Sequence, residues 1–260
     1  MSKTDKAPKK LVFADSKQDE EMNDLEVVAS MELTKETLFA KEIEIEGKKC
    51  TILYNKNQSP KLIFECSANL IKRLDYGRPH SNQVLVDVFS DVLKVNGYCN
   101  PYLSHKGLFA PCGAPSKGGC SWFDVMEIVR IDTFKNTVHS ESKTLCTFCD
   151  GLQVVFSKSK NDFKKKLKKN LDLYLAYNIY ETRIHKFEGL ISIDRSEEIY
   201  DLYLKLIGRT CMEHFRMNTE QVTAELHKTS YFTKQINESG KYSKKELNQI
   251  IKNVEKDYRI

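Results

Sequence analysis

Residues 157–187 decide the fold class, because the sequence pattern changes there from strand-like to helical. They read SKSKNDFKKKLKKNLDLYLAYNIYETRIHKF. Phe163, Leu167, Leu171 and Tyr174 recur at intervals of three and four residues, which predicts one apolar face of an amphipathic helix with most of the lysines opposite.

Upstream of this helix, the alternation of apolar and polar residues predicts antiparallel strands. The alternation runs through 43–54, repeats at 62–66 and returns at 122–134 and 144–156, where Asp150-Gly151 marks a turn. We therefore expect an α+β fold, with an antiparallel β-rich N-terminal half followed by a mainly helical C-terminal half.

The same patterns predict three segments. Residues 1–37 should form a charged, partly disordered arm with a short acidic helix, residues 38–156 a β-rich domain with a Cys- and Gly-rich loop, and residues 157–260 a helical basic region. The two larger segments either stack as one layered domain or form two lobes that meet near residue 157. The last segment contains a second helical stripe, formed by Ile199, Tyr203 and Leu206.

The net charge of +5 is unevenly distributed along the 260 residues. Residues 1–10 carry +3, residues 11–46 hold three lysines against eleven acidic residues, and residues 47–260 are left with +10. A basic body attracts polyanions, whereas the acidic segment either competes with them or contacts another protein.

The distribution of apolar residues predicts the compartment. No apolar run approaches the about 20 residues needed to span a bilayer, and the N-terminus lacks the apolar core of a signal peptide. We expect an intracellular protein that is not secreted and has no membrane partner. Pro8-Lys9-Lys10 is a weak signal for nuclear import.

The basic helix also predicts a ligand. Residues 158–169 hold seven lysines and one Asp, and tyrosines follow at helical spacing. Cations that neutralise phosphates, next to flat rings on which bases stack, are typical of single-strand binding. The candidate nucleic-acid-binding residues are Lys158, Lys160, Lys164, Lys165, Lys166, Lys168, Lys169, Tyr174, Tyr177, Tyr180, Arg183 and Trp122, with Phe123 as an alternative.

Simpler interpretations of the same residues exist. Lysines opposite an apolar stripe are also what a solvated helix face or a nuclear-import patch contains, and tyrosines at helical spacing often pack in a core. However, Lys164–Lys166 and Lys168–Lys169 are barely interleaved with acidic residues, so pairing within the helix cannot balance their charge. This excess favours a nucleic-acid contact.

Eight cysteines in an intracellular chain suggest metal ligands or buried thiols rather than disulfides. Cys146 and Cys149 form a CxxC motif before Gly151, as in zinc knuckles, and a structural zinc ion would need two further ligands. The candidates for those are Cys112 and Cys120, with Cys99, His105 and His139 as alternatives. Thiols packed in a small β core are the competing interpretation.

Motifs of catalysis do not stand out. The sequence contains no GxSxG, HExxH, kinase-type or paired-carboxylate signature, and its histidines are scattered. The first hypothesis is therefore a non-enzymatic nucleic-acid-binding protein that prefers single strands. The alternative is a zinc-stabilised protein-interaction or transcription adaptor module built on residues 97–150.

The overall layout resembles the single-stranded DNA-binding proteins of large DNA viruses, the baculovirus type in particular. The resemblance rests on Lys164–Lys169, Tyr174, Tyr177, Tyr180 and the Tyr98–Trp122 loop. It implies a protein that coats unwound DNA during viral replication in the nucleus and self-associates along the strand. The chain departs from the pattern in its last residues, NVEKDYRI, where such proteins often have an acidic tail.

Overall fold

The structure, a computed structural model, describes residues 11–14, 25–76, 78, 80–95, 99–113, 120–135, 142–187 and 195–208, together with 222, 225 and 226. The chain divides into two compact units, Met1–Met217 and Asn218–Ile260. The fold below is that of the first unit.

The described ranges of this unit contain eleven strands and four helices. In chain order they are β1 (Leu11–Phe13), β2 (Glu26–Val28), β3 (Thr37–Ile45), β4 (Lys48–Asn55), β5 (Lys61–Ile63), α1 (Ser67–Arg73), α2 (Asn82–Leu93), β6 (Tyr102–Ser104), β7 (Gly107–Pro111), β8 (Trp122–Asp124), β9 (Ile128–Lys135), β10 (Ser142–Phe148), β11 (Gln153–Phe156), α3 (Lys160–Phe187) and α4 (Ser196–Ile207). A single 3-10 turn, Val125–Glu127, joins β8 to β9. The α+β prediction is confirmed.

Seven strands form one sheet in the order β2-β5-β4-β3-β8-β7-β6, antiparallel except for the β2–β5 pair. Its longest hairpin, β3–β4, turns through Glu46 and Gly47, whose φ angles are 50° and 74°. Two consecutive left-handed residues twist the chain as antiparallel strands require, which is why glycine suits the second position. The meander predicted over 43–54 and 62–66 is thus confirmed as far as Ile63, where β5 ends.

The remaining strands form a four-stranded sheet in the order β1-β11-β10-β9, in which β1 runs parallel to β11. The β10–β11 hairpin turns at Asp150-Gly151, as predicted. Asp150 Oδ1 accepts a hydrogen bond from Leu152 N at 2.9 Å, and Gly151 has a φ of 96°, a value that favours glycine.

A cluster of phenylalanines joins both sheets to α3. The ring of Phe163 on α3 lies 5.6 Å from Phe123 of the larger sheet and 4.8 Å from Phe156 of the smaller one. Phe123 and Phe156 are 5.0 Å apart, and Phe39 lies 6.4 Å from Phe156. We call these four residues the phenylalanine cluster; all are buried.

The opposite face of the larger sheet has its own core beneath α1. Its buried residues come from β3 to β8 and from α1: Leu33, Ala40, Leu53, Ile63, Leu70, Ile71, Leu74, Tyr102, Phe109 and Trp122. Because successive residues of a strand point to opposite faces, Trp122 lies in this core while the adjacent Phe123 lies in the phenylalanine cluster.

Helix α4 packs against α3 through a polar and an apolar contact. Tyr203 donates to Asp172 Oδ1 at 2.7 Å, and Lys168 Nζ lies 2.8 Å from Asp172 Oδ2. Ile199, Tyr203 and Leu206 are buried, which confirms the predicted stripe. No helix in the described ranges is long and apolar enough to cross a bilayer.

Two predictions about segments are wrong. Glu26–Val28 form β2 and pair with β5, where a short acidic helix was expected, and Leu11–Phe13 belong to a sheet rather than to an arm. Of the two arrangements expected for the larger segments, the contacts of α3 with strands of both sheets within one compact unit favour a layered domain over two lobes that meet near residue 157. The other parts of the predicted arm, 1–10 and 15–24, lie outside the described residues.

We expect Phe163→Ala to lower the free energy of unfolding by about 3–5 kcal/mol, because it leaves a cavity where three elements meet. Equilibrium denaturation in urea measures the change. The matched control is Phe64→Ala, since Phe64 is 61% exposed and its loss should cost about 0.5 kcal/mol. Equal midpoints for the two variants would contradict this role of the cluster.

Candidate nucleic-acid interface

Helix α3 begins at a reciprocal cap. Ser159 Oγ accepts a hydrogen bond from Asp162 N at 3.2 Å and donates to Asp162 Oδ2 at 2.8 Å. The first of these contacts satisfies one amide group that the first turn leaves free, that of Asp162. The bond from Ser159 and the nearby Lys165 lower the pKa of Asp162. The cap fixes where the lysine-rich turns start.

Three of the predicted lysines have no hydrogen bond or ion pair at Nζ within the described residues. Lys158, Lys160 and Lys164, which we call the open lysines, are half-buried along their stems. By contrast, Lys165 lies 3.6 Å from Asp162, and Lys168 lies 2.8 Å from Asp172. The open lysines are therefore the members of the basic run without a direct partner at Nζ among the described residues, although Lys158 helps to lower the pKa of Asp162.

Two further lysines point into the protein. Lys166 Nζ donates to the carbonyl oxygen of Pro111, and Lys169 Nζ donates to Asn100 Oδ1 at 3.0 Å. Burial lowers the pKa of both ammonium groups. Because these groups bind protein oxygens, the assignment of Lys166 and Lys169 to phosphate contacts is corrected: they attach α3 to neighbouring loops.

The three predicted stacking tyrosines are core residues. Tyr174, Tyr177 and Tyr180 are 2%, 4% and 6% exposed. Tyr174 donates to Ser104 O at 3.2 Å, Tyr177 accepts from Arg78 at 3.2 Å, and burial raises the pKa of Tyr177 to about 12. The prediction that these rings stack on bases is therefore wrong.

The alternative stacking residues are also covered. Trp122 and Phe123 are buried in the two cores described above. Arg183 is exposed in a later turn of α3. The error has a simple cause: all residues from Asn170 to Asn178 are buried, so this helix is covered on every side, whereas periodicity indicates only its most apolar side.

One exposed aromatic side chain, packed against a half-buried one, lies instead on the outer face of the four-stranded sheet. Phe13 is 41% exposed, and its ring meets that of Phe134 edge to face, with 6.0 Å between centroids. Phe13 pairs with Val155 in the register, and Lys143 pairs with Phe134. We call Leu11, Phe13, Phe134 and Lys143 the sheet platform. Sequence reasoning missed this surface because Phe13 reaches it only through the pairing of β1 with β11.

The open lysines lie at one end of this platform. Thr144 Oγ1 donates to Lys158 O at 2.7 Å, which holds the start of the basic run against β10 next to Lys143. Lys135, at the same end of β9, pairs with Ser142 and is exposed. Lys143 of the sheet and the backbone of Lys158 before α3 therefore lie at the same end of the four-stranded sheet.

The CxxC cysteines have different surroundings. Cys146 is fully buried in β10 between Ile131 and Val154, and burial raises the pKa of its thiol. Cys149 is exposed in the following turn as a residue, but its sulfur is partly covered. This burial of the sulfur and a hydrogen bond to Glu127 raise the pKa of its thiol to about 12. A raised pKa keeps a thiol protonated, which does not favour metal binding by itself.

The second predicted pair lies near Lys166. The buried Cys120 Sγ accepts from Gly113 N at 3.4 Å, and Cys112 is half-buried. In the part of the chain that the structure describes, no three His, Cys, Asp or Glu side chains are grouped to hold a metal ion. His139 lies outside that part. The zinc site stays a prediction.

A polar cleft of about 480 Å³ lies at the opposite end of β9. Asp124 and Glu127 line it, together with Lys56, whose Nζ is 2.8 Å from Glu127 Oε1. Asp124 is 1% exposed, and burial, reinforced by the nearby Glu127, raises the pKa of its carboxyl group to about 7. Sequence reasoning gave no indication of this carboxyl group.

Comparisons with protein-family models, curated proteins and solved structures return no match. The resemblance to viral single-stranded DNA-binding proteins, and the viral and nuclear setting it implies, stay predictions.

We expect Asp124 to make stability depend on pH. Between about pH 4 and pH 7 the folded protein retains the Asp124 proton while the unfolded chain releases it, so this residue makes stability fall as pH rises. The Asp124→Asn variant lacks this titration. The free energy of unfolding of the variant minus that of the parent protein should therefore increase by on the order of 3 kcal/mol as the pH rises through this window. Urea denaturation at a series of pH values measures it.

The exposed Asp91→Asn on α2 serves as the charge-matched control for this measurement. A stability difference between Asp124→Asn and the parent protein that does not change with pH would show that Asp124 titrates near its ordinary value.

Proposed function

We propose that this protein binds single-stranded nucleic acid without catalysis, and DNA in preference to RNA. The observation that supports this is the exposed ring of Phe13, packed on the half-buried Phe134, on the sheet whose strand β10 holds the backbone of Lys158 at the start of the basic run. The proposal keeps the ligand that the sequence indicated and moves its stacking site from α3 to the sheet platform.

The charge of the surface suits a polyanion. Lys135 and Lys143 extend from the sheet, and the open lysines follow from the start of α3. Each cation that neutralises a phosphate releases a condensed counterion, so binding gains free energy at low salt. Among the described residues, Asp132 and Asp162 are acidic residues near this region, and each lies within ion-pair distance of a basic neighbour, Arg130 and Lys165.

The exposed rings favour a single strand over a duplex. Every base has a flat face that can stack on a phenylalanine ring, and this contact tolerates any sequence. In a duplex those faces are already stacked on neighbouring base pairs. A surface of aromatic rings bordered by cations can therefore make more contacts with an unpaired strand than with a duplex.

The biological setting follows from the resemblance alone. A coat protein of this kind acts on unwound DNA during viral replication in the nucleus and self-associates along the strand. Affinity for labelled single-stranded DNA, duplex DNA and single-stranded RNA of equal length, measured by fluorescence anisotropy at several salt concentrations, separates the three ligands.

Replacing the three open lysines by Gln should weaken single-strand binding and flatten its salt dependence. Each lost phosphate contact lowers the magnitude of the negative slope of log K against log salt by about 0.7. For three lost contacts we therefore expect this magnitude to fall by about 2. Anisotropy titrations across a range of salt concentrations provide both values.

The matched control replaces Lys48, Lys72 and Lys94, which are exposed elsewhere on the first unit, by Gln. It removes the same net charge and should leave the slope nearly unchanged. If both triple variants lost single-strand affinity and salt dependence equally, only the total charge of the protein would matter, and the site assignment would be wrong.

Removing the exposed rings should weaken binding without changing its salt slope. We expect Phe13→Ala and Phe134→Ala each to cost about 1–3 kcal/mol of single-strand affinity, since a stacking surface is lost and no cation is. Phe64→Ala, which removes another exposed ring, is the control. Full affinity in the Phe13→Ala, Phe134→Ala double variant would exclude the sheet platform as the stacking site.

A further inference from the structure

The four-stranded sheet ends in a long strand that, among the described residues, pairs on one side only. This strand is β9, which covers the eight residues Ile128–Lys135 and pairs with β10. The strands at the other three sheet edges, β1, β2 and β6, have three residues each. A strand paired on one side presents a row of backbone N–H and C=O groups on the other, so β9 offers the longest of these edges.

Side chains of β9 are exposed where those of the neighbouring β10 are covered. Thr133 is exposed, whereas Thr144, which lies opposite it on β10, is fully buried. The Arg130 side chain is 61% exposed, whereas Thr147, opposite it, is buried. Helix α4 packs near β9 and Ile128 is buried, but this step in exposure shows that the later part of the strand is an uncovered sheet edge.

Two opposite charges stand two residues apart on this edge. Arg130 and Asp132 lie on the same face of the sheet, because side chains alternate between faces along a strand, and Arg130 Nε is 2.7 Å from Asp132 Oδ2. Their side chains are 61% and 40% exposed, so water screens the pair and it adds little to the stability of a single chain. Both charges are accessible to a second molecule.

The order of these charges is self-complementary. If β9 pairs antiparallel with β9 of a second copy about a two-fold axis at Ile131, Arg130 of each copy lies directly opposite Asp132 of the other. The four charges then alternate in sign around the axis, and Val129 faces Thr133 in a pair of β-branched residues. An axis at Arg130 or at Asp132 would instead place like charges opposite each other, which is destabilising. The charges therefore select one register.

This pairing also extends the proposed nucleic-acid surface. A two-fold axis perpendicular to a sheet keeps the same face of both copies on one side. Two four-stranded sheets joined at β9 form one eight-stranded sheet, which is within the size range of open sheets, and its outer face presents two sheet platforms. A single strand that reaches both platforms would bind with the gain in affinity that bivalent contacts provide.

We propose that the β9 edge is a self-association surface and that its partner is the β9 edge of a second copy, paired antiparallel about Ile131. The inference adds a surface to the self-association that forms part of the proposed function. It is tested without nucleic acid, so its failure is distinguishable from a failure of nucleic-acid binding.

Sedimentation equilibrium of the full chain measures the association. Between about 1 μM and about 1 mM protein we expect the mass to rise from that of one chain, 30.1 kDa, toward twice that value. Asp132→Arg places like charges opposite each other across the axis and should raise the dissociation constant at least about tenfold. Asp91→Arg makes the same change of charge at an exposed position of α2 and should associate like the parent protein.

Exchange of the two charges separates this register from a general effect of charge. The double variant Arg130→Asp, Asp132→Arg keeps the net charge of the parent protein and again places opposite charges across the axis, so it should associate like the parent protein. The single variants Arg130→Asp and Asp132→Arg each carry one sign at both positions. An equimolar mixture of them should therefore form dimers, although each alone associates weakly.

The mass of a single chain at every concentration would overturn the proposal. A dimer that Asp132→Arg leaves unaltered would also overturn it, because the contact would then lie elsewhere. Failure of both the double variant and the mixture to associate would exclude the register about Ile131. Single-strand affinity of the same proteins bears only on the nucleic-acid proposal.

Discussion

The phenylalanine cluster is the contact on which the arrangement of the first unit depends. It is the point at which Phe123 of one sheet, Phe156 of the other and Phe163 of α3 meet with centroids 4.8–5.6 Å apart. Because Phe163 lies one turn after the start of α3, the cluster fixes that end of the helix. The lysines before and around Phe163 are then held beside β10, and the apolar remainder of the helix continues into the interior.

Burial of α3 explains both the success and the failure of sequence reasoning about its residues. The apolar spacing of Phe163, Leu167 and Leu171 predicted the helix, and the hairpin at Asp150-Gly151 was equally local. Whether the opposite face meets solvent depends on how α2, α4 and both sheets pack against α3, which is a matter of tertiary structure. An amphipathic pattern cannot report that, so Tyr174 and Tyr177 looked like surface residues in a basic context although they pack in the core.

The sheet platform was missed for a related reason. Phe13 reaches its position because β1 pairs with β11, about 140 residues later in the chain, and no short-range pattern specifies that pairing. Three residues are also too few to display a convincing alternation. Positive charge, by contrast, was visible in the sequence, because a run of lysines with few acids remains basic in any fold. Positive charge was thus easier to read from the sequence than the burial of the aromatic rings next to it.

The edge of β9 follows a different logic from the platform, and this difference makes the two proposals independent. Nucleic-acid binding needs many weak, exposed cations, each replaceable, whereas pairing of two β9 strands depends on which residues lie directly opposite each other. Arg130 and Asp132 can take part because they are exposed, and a strand with the same order of charges meets them with opposite signs. Asp124, just before the same strand, is buried and accepts two backbone amides, and it makes stability depend on pH instead. Burial thus decides whether a charge near β9 acts on folding or is available for a contact between molecules.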